Sequence, residues 1–386
     1  MIIIAPDKFK NSMTAAEAAK CIARGIKAVL PGAELTLLPL SDGGEGLVES
    51  LVEAAAGSFI TSYVTGPLGL PQKAGWGLIS EGKTAVIEMA SASGLTMIPE
   101  QQRDPLITTT CGTGELIKAA LDRDCSELII GIGGSATNDG GAGMAMALGV
   151  KFLDSSGQQL GAGGAELSRL VKIDTSGLDP RLKKTKTRVA CDVSNPLTGP
   201  QGASHVYGPQ KGATPEMARQ LDRALENYAR VVERDLGIDV RFTPGAGAAG
   251  GLGAGLIAFL GAELLSGIDL VLDILEIDRF LPDCTLLITG EGRLDSQSVQ
   301  GKAPIGAARR AKKFNVPVLA LAGSIEGSTG AFHREGISAS FAIADGPLSL
   351  EESLARGPQL LERKIAELMR LCNRFYIPSP GNKPEI

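Results

Sequence analysis

The chain opens by alternating short apolar runs with amphipathic stretches. Residues 2–5 are an apolar run that stops at Pro6-Asp7-Lys8, which predicts a short buried strand ending in polar side chains. Thr14-Ala15-Ala16-Glu17 has the spacing of a capping box, and residues 18–30 continue at helical period. Residues 35–40 predict a second strand, closed by Ser41-Asp42-Gly43-Gly44-Glu45-Gly46. A strand–helix–strand opening predicts parallel pairing. Ligands of such sheets bind beyond the C-terminal strand ends, so Asp7, Lys8, Asp42 and Glu45 are expected at that edge.

Beyond residue 57 the texture changes. Residues 59–65, 74–79 and 84–89 are β-rich runs separated by Gly-Pro and Gly-Lys turns, an antiparallel pattern that sets a domain boundary near Gly57. Residues 108–121 predict a helix with a Thr- and Gly-rich start, 127–130 a buried strand, and 144–148 the body of a helix. Residues 188–191 predict a strand running into Asp192-Val193-Ser194-Asn195-Pro196, and 215–236 a long helix. After Asp283 the α/β rhythm returns, with strands at 285–289, 316–321 and 338–344 and helices at 302–314 and 350–371. The pattern predicts an α/β chain of two domains. The like character of both chain ends, residues 1–57 and 280–375, suggests a doubly wound parallel-sheet domain with residues 58–279 inserted as a mixed α/β domain, although pattern alone does not join the two ends in one sheet; 376–386 are a polar, Pro-rich tail.

Composition narrows the classes. The 386 residues exceed one ordinary core, and 44% hydrophobic with 21% charged residues is a globular balance. An aromatic content of 4% beside 50 glycines argues for tight turns and against a base-stacking nucleic-acid binder. A net charge of −5 gives no general attraction to nucleic acid or acidic membranes, so an anionic ligand must be held locally. The 6 cysteines are scattered without a C-x-x-C pair, the reduced cytoplasmic pattern rather than a disulfide framework or zinc site. With only His205 and His333, carboxylates and lysines must carry the chemistry. The N-terminal MIIIAPDK lacks a basic segment and is too short for a signal peptide. The long uncharged stretch 242–262 is mostly Gly and Ala and reads as a loop entering a buried helix rather than a membrane span.

Residues 131–143, GIGGSATNDGGAG, form the stretch most suggestive of a site. A strand, a glycine turn with hydroxyls and a helix start together make an anion cradle, since bare backbone N–H groups and the helix dipole both favour negative charge. Gly133, Gly134, Ser135, Thr137 and Asn138 are its candidate phosphate ligands. G-x-G-x-x-A at 131–136 and G-x-G-x-x-G at 245–250 also match a dinucleotide fingerprint, which keeps an NAD-dependent oxidoreductase as a different-class reading. No P-loop exists: Gly301-Lys302 is followed by Ala303. Asp7, Asp42, Glu45, Asp192, Glu291 and Asp295 lie in Gly-flanked strand ends, where each alone reads as a turn former. Beside Lys8, Lys10, Lys211, Arg293 and Lys302 they supply what phosphoryl transfer needs: cations to neutralise the moving group and carboxylates for metal and hydroxyl. Cys191, with no His beside it in sequence, reads as a small buried thiol.

Taken in order, the motifs resemble a known family. They are Ala5-Pro6-Asp7 with Phe9-Lys10, Asp42-Gly43-Gly44-Glu45-Gly46, Ile87-Glu88-Met89-Ala90 with Ser93-Gly94-Leu95, and Gly112-Thr113-Gly114-Glu115-Leu116-Ile117. GIGGSATNDGGAG, Ala190-Cys191-Asp192-Val193, Gly208-Pro209-Gln210-Lys211-Gly212, the 245–251 run and Ile288-Thr289-Gly290-Glu291-Gly292-Arg293 follow. The chain closely resembles the bacterial glycerate kinase family of type 1 over residues 1–371, departing at Lys8, where relatives usually carry Ser, and in the tail after Arg374. The resemblance implies ATP-dependent phosphorylation of D-glycerate with Mg²⁺, at the 2-hydroxyl to give 2-phosphoglycerate, with 3-phosphoglycerate as the rival product. It implies a flavodoxin-like domain from both chain ends, an inserted mixed domain, an active site in the cleft between them, and a role in cytoplasmic breakdown of glyoxylate and sugar diacids. Within that reaction, chemistry suggests Asp192 as base and Lys211 and Lys302 as neutralising cations. Glu291 and Asp295 are the expected metal ligands, and Lys10, Asp42 and Arg293 the expected substrate contacts.

Overall fold

In the computed structural model, which describes residues 1–376 other than Asp42, Glu45 and Gln297, the apolar runs become thirteen strands among the described residues. In chain order these are β1 (Ile2–Pro6), β2 (Leu35–Leu37), β3 (Ser58–Thr65), β4 (Pro71–Ile79), β5 (Thr84–Glu88), β6 (Glu127–Gly131), β7 (Lys151–Leu153), β8 (Lys172–Asp174), β9 (Lys186–Ala190), β10 (Glu263–Leu265), β11 (Leu286–Leu294), β12 (Val318–Ile325) and β13 (Ala339–Ala342). The chain divides into two compact units, residues 1–42 with 271–386, and residues 43–270.

Unit one carries a five-stranded sheet in the order β13-β12-β11-β1-β2, with every neighbouring pair parallel. Counted within the unit, this is the doubly wound order 2-1-3-4-5, with its switch point between β1 and β11. Ile3, Ile4, Leu287, Ile288, Val318 and Leu321 are buried, the continuous apolar reading of strands covered on both faces. The first helix, Ala15–Lys27, starts at the expected capping box: Glu17 N donates to Thr14 Oγ1 at 3.2 Å and Thr14 N to Glu17 Oε2 at 2.8 Å. A Cβ on its Gly25 would lie 2.5 Å from the Glu362 carbonyl oxygen, so this glycine lets the final helix, Gly357–Tyr376, pack close. The single closing helix expected over 350–371 is two, Leu350–Ala355 and Gly357–Tyr376. The break falls where a Cβ on Gly357 would stand 2.1 Å from Ser12 Oγ.

Unit two carries a six-stranded sheet, β10-β9-β6-β5-β4-β3, and a two-stranded one, β7-β8. The pairs β3–β4 and β4–β5 are antiparallel as the turns suggest, whereas β5, β6, β9 and β10 run parallel. Trp76 is fully buried in one core with Leu116 and Ile117. On the opposite face, a Cβ on Gly77 would stand 2.3 Å from Val52 Cγ2, so the helix Leu47–Ala54 covers β4. That packing moves the first boundary from the expected 57 to 42. The second moves from 279 to 270 because Asp273 and Asp278 pair with Arg310 at 2.9 and 3.0 Å, tying this stretch to the helix Ala303–Lys312. The long helix Pro215–Leu236 has the expected bounds, with Thr214 as its cap. The buried helix after the glycine run spans Ala248–Leu260. Among the described residues no helix is long and apolar enough to cross a membrane.

Candidate active site

In unit two the register places Glu88 opposite Gly131 and Gly131 opposite Ala190. The loops after β5, β6 and β9 therefore leave side by side at the C-terminal edge of the parallel strands. Of the loop after β6, Gly133 and Gly134 face solvent, and Gly134 has a φ of +74°, which its missing Cβ permits. Leu95 N donates to the Gly134 carbonyl at 2.8 Å, Ala136 N to Ser93 O at 2.9 Å, and Thr108 Oγ1 to Ala136 O at 3.0 Å. The N–H groups of Gly133 and Gly134 meet no acceptor among the described residues, which leaves two adjacent donors on the exposed turn.

From Ser135 onward the loop turns inward. Lys211 lies beneath it, 1% exposed, with Nζ donating to Ser135 Oγ and to the Thr137 carbonyl at 2.7 Å each. Burial lowers its pKa to about 7, opposed by the nearby Asp139 charge. Asp139 is itself buried and accepts from Thr110 N at 2.8 Å, Thr110 Oγ1 at 2.9 Å, Gly141 N at 3.1 Å and Gly143 N at 3.2 Å. Burial raises its pKa, and these bonds pull it back. Its carboxylate fills the starts of the helices Cys111–Leu121 and Ala142–Ala147.

The expected anion place at the helix start is therefore occupied by the chain's own Asp139. Thr137 and Asn138, expected as phosphate ligands, are 0% exposed, and Asn138 Nδ2 donates to Ser204 Oγ at 3.0 Å. Their side chains are turned into the core, which leaves Gly133 and Gly134 as the outward portion, with Ser135 buried at its inner rim. Lys211, expected as a cation neutralising the transferring group, is desolvated and bonded within the loop. The 245–250 glycine run follows no strand and is buried, with Gly140 N donating to Gly250 O at 3.0 Å. It is a packing surface for the loop, not a second fingerprint.

Asp192 sits exposed just past β9, where Gly267 N donates to its Oδ1 at 2.8 Å. Glu88 was legible only as part of a motif. Its Oε1 accepts from Gly46 N at 2.9 Å and Val48 N at 3.1 Å, and burial raises its pKa against those bonds. Its sequence signal is a carboxylate closing an otherwise apolar strand. Asp139 gave a weaker one, an Asp before two glycines and a helix.

In unit one the residues gather at the switch point. Asp7 N donates to the Gly290 carbonyl at 2.8 Å, bringing the end of β1 onto β11. Glu291 is 6% exposed, its Oε2 3.6 Å from Lys302 Nζ and its Oε1 without a partner among the described residues. Burial raises its pKa; Lys302 opposes this and the neighbouring Asp295 adds to it. Arg293 lies 3.1 Å from Asp295 and 2.5 Å from Glu326, so the arginine expected to grip a substrate carboxylate already serves two internal ones. Lys10 is exposed, and its backbone passes beside Gly292, where a Cβ would stand 3.1 Å from the Lys10 backbone nitrogen. Asp42, the remaining expected substrate contact, lies outside the described residues. Among those described, no group of three His, Cys, Asp or Glu could hold a metal. Glu291 with Asp295 instead offers the one or two carboxylates that Mg²⁺ uses beside substrate phosphates, and the orphaned Oε1 suits that role.

The model of the glycerate kinase family matches residues 2–373. The chain is 54% identical over 379 residues to glycerate kinase of Bacillus subtilis (strain 168), covering 97% of this chain and 99% of the relative. It is 53% identical over 352 residues to glycerate 2-kinase of Escherichia coli (strain K12), covering 91% and 92%. A crystal structure from Salmonella typhimurium LT2, which bears the provisional name glycerate kinase 2, aligns with a TM-score of 0.90 at 49% identity, covering 97% of this chain and 98% of that one. The chain belongs to the glycerate kinase family.

Proposed function

We propose that this chain transfers the γ-phosphoryl group of ATP to the 2-hydroxyl of D-glycerate, giving 2-phosphoglycerate and ADP. The observation that carries the chemistry is the solvent-facing Gly133–Gly134 turn, with two adjacent N–H donors and the cation of Lys211 beneath it. Choice of the 2-hydroxyl follows the relative named glycerate 2-kinase. Six free cysteines suit a cytoplasmic setting.

In this reading the turn and the Ser135 hydroxyl hold phosphate oxygens. Asp192 accepts the proton of the attacking hydroxyl, its carboxylate fixed by the Gly267 N–H. An ordinary ionised carboxylate suffices, because a loose transition state calls for late proton removal and good positioning more than for a strong base. Lys302 neutralises the transferring group, and Lys10, exposed beside Gly292, binds the glycerate carboxylate in preference to the engaged Arg293. Glu291 with Asp295 would hold Mg²⁺, which supplies charge neutralisation at the phosphates. The test is ADP release with D-glycerate, with L-glycerate and with no acceptor, followed by phosphorus NMR of the product. ADP release dependent on D-glycerate with 2-phosphoglycerate formed is the expected result. A 3-phosphoglycerate signal would overturn the regiochemistry, and absence of ADP release would overturn the kinase reading.

A further inference from the structure

We infer that Lys211 is a positioning residue that acts through Ser135: by donating to Ser135 Oγ from inside unit two, it leaves the Ser135 hydroxyl hydrogen to be given to an anionic substrate group at the Gly133–Gly134 turn. The inference rests on the proposal that this turn binds such a group.

The geometry leaves little choice. A lysine ammonium has three donors and no lone pair, so at the 2.7 Å contact Ser135 Oγ must be the acceptor. A hydroxyl has a single hydrogen, and with Lys211 occupying a lone pair that hydrogen must point elsewhere. Among the described residues Ser135 Oγ has no other partner, and the residue is 7% exposed immediately after the two solvent-facing glycines. The hydroxyl is thus a prepared donor on the rim of the turn, worth having only for an acceptor that arrives with the ligand. Lys211 is too deep to be a ligand itself, and its second bond, to the Thr137 carbonyl at 2.7 Å, fixes Nζ relative to the same loop.

Deprotonation removes that constraint. A neutral amine keeps two hydrogens and gains a lone pair that can accept the Ser135 hydrogen, and in that arrangement Ser135 turns its own lone pairs toward the anion and repels it. Burial places the Lys211 transition at about pH 7. The charged and titratable groups around it are few. Asp139 lies in the loop itself. Tyr228 of the helix Pro215–Leu236 feels the Asp139 charge and is pushed up by burial, so it stays neutral. Arg103 donates to the Gln210 carbonyl at 3.5 Å. His205, on the short helix Ala203–Tyr207, faces Asp222 at 3.8 Å instead.

The test is a double-mutant cycle on the full chain, wild type, Ser135→Ala, Lys211→Met and both together, with KM for ATP and for D-glycerate measured from pH 6 to 9. Loss of one charge-supported hydrogen bond predicts a rise of about tenfold in one of the two KM values for either single variant, and no further rise in the double variant. The wild-type KM for that substrate should climb as pH passes about 7, and Ser135→Ala should flatten the climb. Single effects that multiply in the double variant would overturn the inference by showing that Lys211 acts on the ligand directly, while leaving the turn as a binding site. Unchanged KM values for both substrates in Ser135→Ala would overturn the binding reading and the inference with it. If Lys211→Met does not fold, the comparison of pH profiles between wild type and Ser135→Ala decides alone, and a climb that persists in Ser135→Ala refutes the inference.

Discussion

A lysine ammonium normally keeps its water, and Lys211 has been stripped of it. The folded chain therefore favours the neutral amine, while the unfolded chain keeps its proton up to the ordinary lysine range near pH 10.4. Between about pH 7 and that range the unfolded state binds the extra proton, so stability from this group rises with pH. From pH 7 to 9 wild type should gain roughly 2 kcal/mol that Lys211→Met does not gain. Urea melts of both proteins at the two pH values measure it, and parallel changes would mean that Lys211 is solvated in solution. Binding and folding thus pull this residue in opposite directions, as is common where a site holds an uncomfortable charge. Asp192 is the contrasting case, exposed and accepting from the Gly267 N–H. Asp192→Asn should lower kcat by about a hundredfold or more with little change in stability. Turnover within a few-fold of wild type would remove Asp192 from the role of base.

Among the elements, the helix Ala248–Leu260 begins oddly, with Ala249, Gly250 and Gly251 all at positive φ. The reason is the loop it supports: a Cβ on Gly250 would stand 1.9 Å from the Thr137 carbonyl oxygen. Gly250→Ala combines left-handed strain with a backbone clash and should cost more than about 3 kcal/mol. Gly157, at a φ of +80° with nothing within 4 Å, provides the control, since Gly157→Ala meets the strain alone, about 1 kcal/mol. Equal chemical-denaturation midpoints for the two variants would contradict the packing described. Elements were legible from sequence where local rules agreed with packing. The helix Pro215–Leu236 has a cap, a proline in its first turn, a terminal glycine and one apolar face, and its bounds were readable directly. The strands β7, β8 and β10 have three residues each, too short for a period to appear.

At the scale of the whole molecule, both units put their candidate residues at the C-terminal ends of parallel strands, as α/β sheets do for a physical reason: loops and helix starts converge there. Chelation of divalent metal should abolish ADP release and added Mg²⁺ restore it, with Glu291→Gln raising the Mg²⁺ needed for half-maximal rate about tenfold. An unchanged Mg²⁺ requirement would take Glu291 out of the metal site. ATP with Mg²⁺ at a hundred times its Kd should stabilise the protein by about 2.7 kcal/mol, readable as a shift in chemical denaturation. The amino-acid sequence by itself determined the α/β class, the order of the apolar strands, the glycine loop after β6 and, through motifs met in order, the family. Each of these depends on neighbours in the chain, on residue period and on local turn chemistry. Only the tertiary structure decided that the end strands share one sheet with β1 between β11 and β2, and that the helix Leu47–Ala54 packs with unit two. It also decided which hydroxyls, carboxylates and lysines of the loop face water. Thr137 and Asn138 look no different from Ser135 in a string of letters. Their burial, the placement of Lys211 beneath the turn and the contact of Asp139 with Thr110 bring together segments 76 and 29 residues apart, and desolvation acts only once those segments meet.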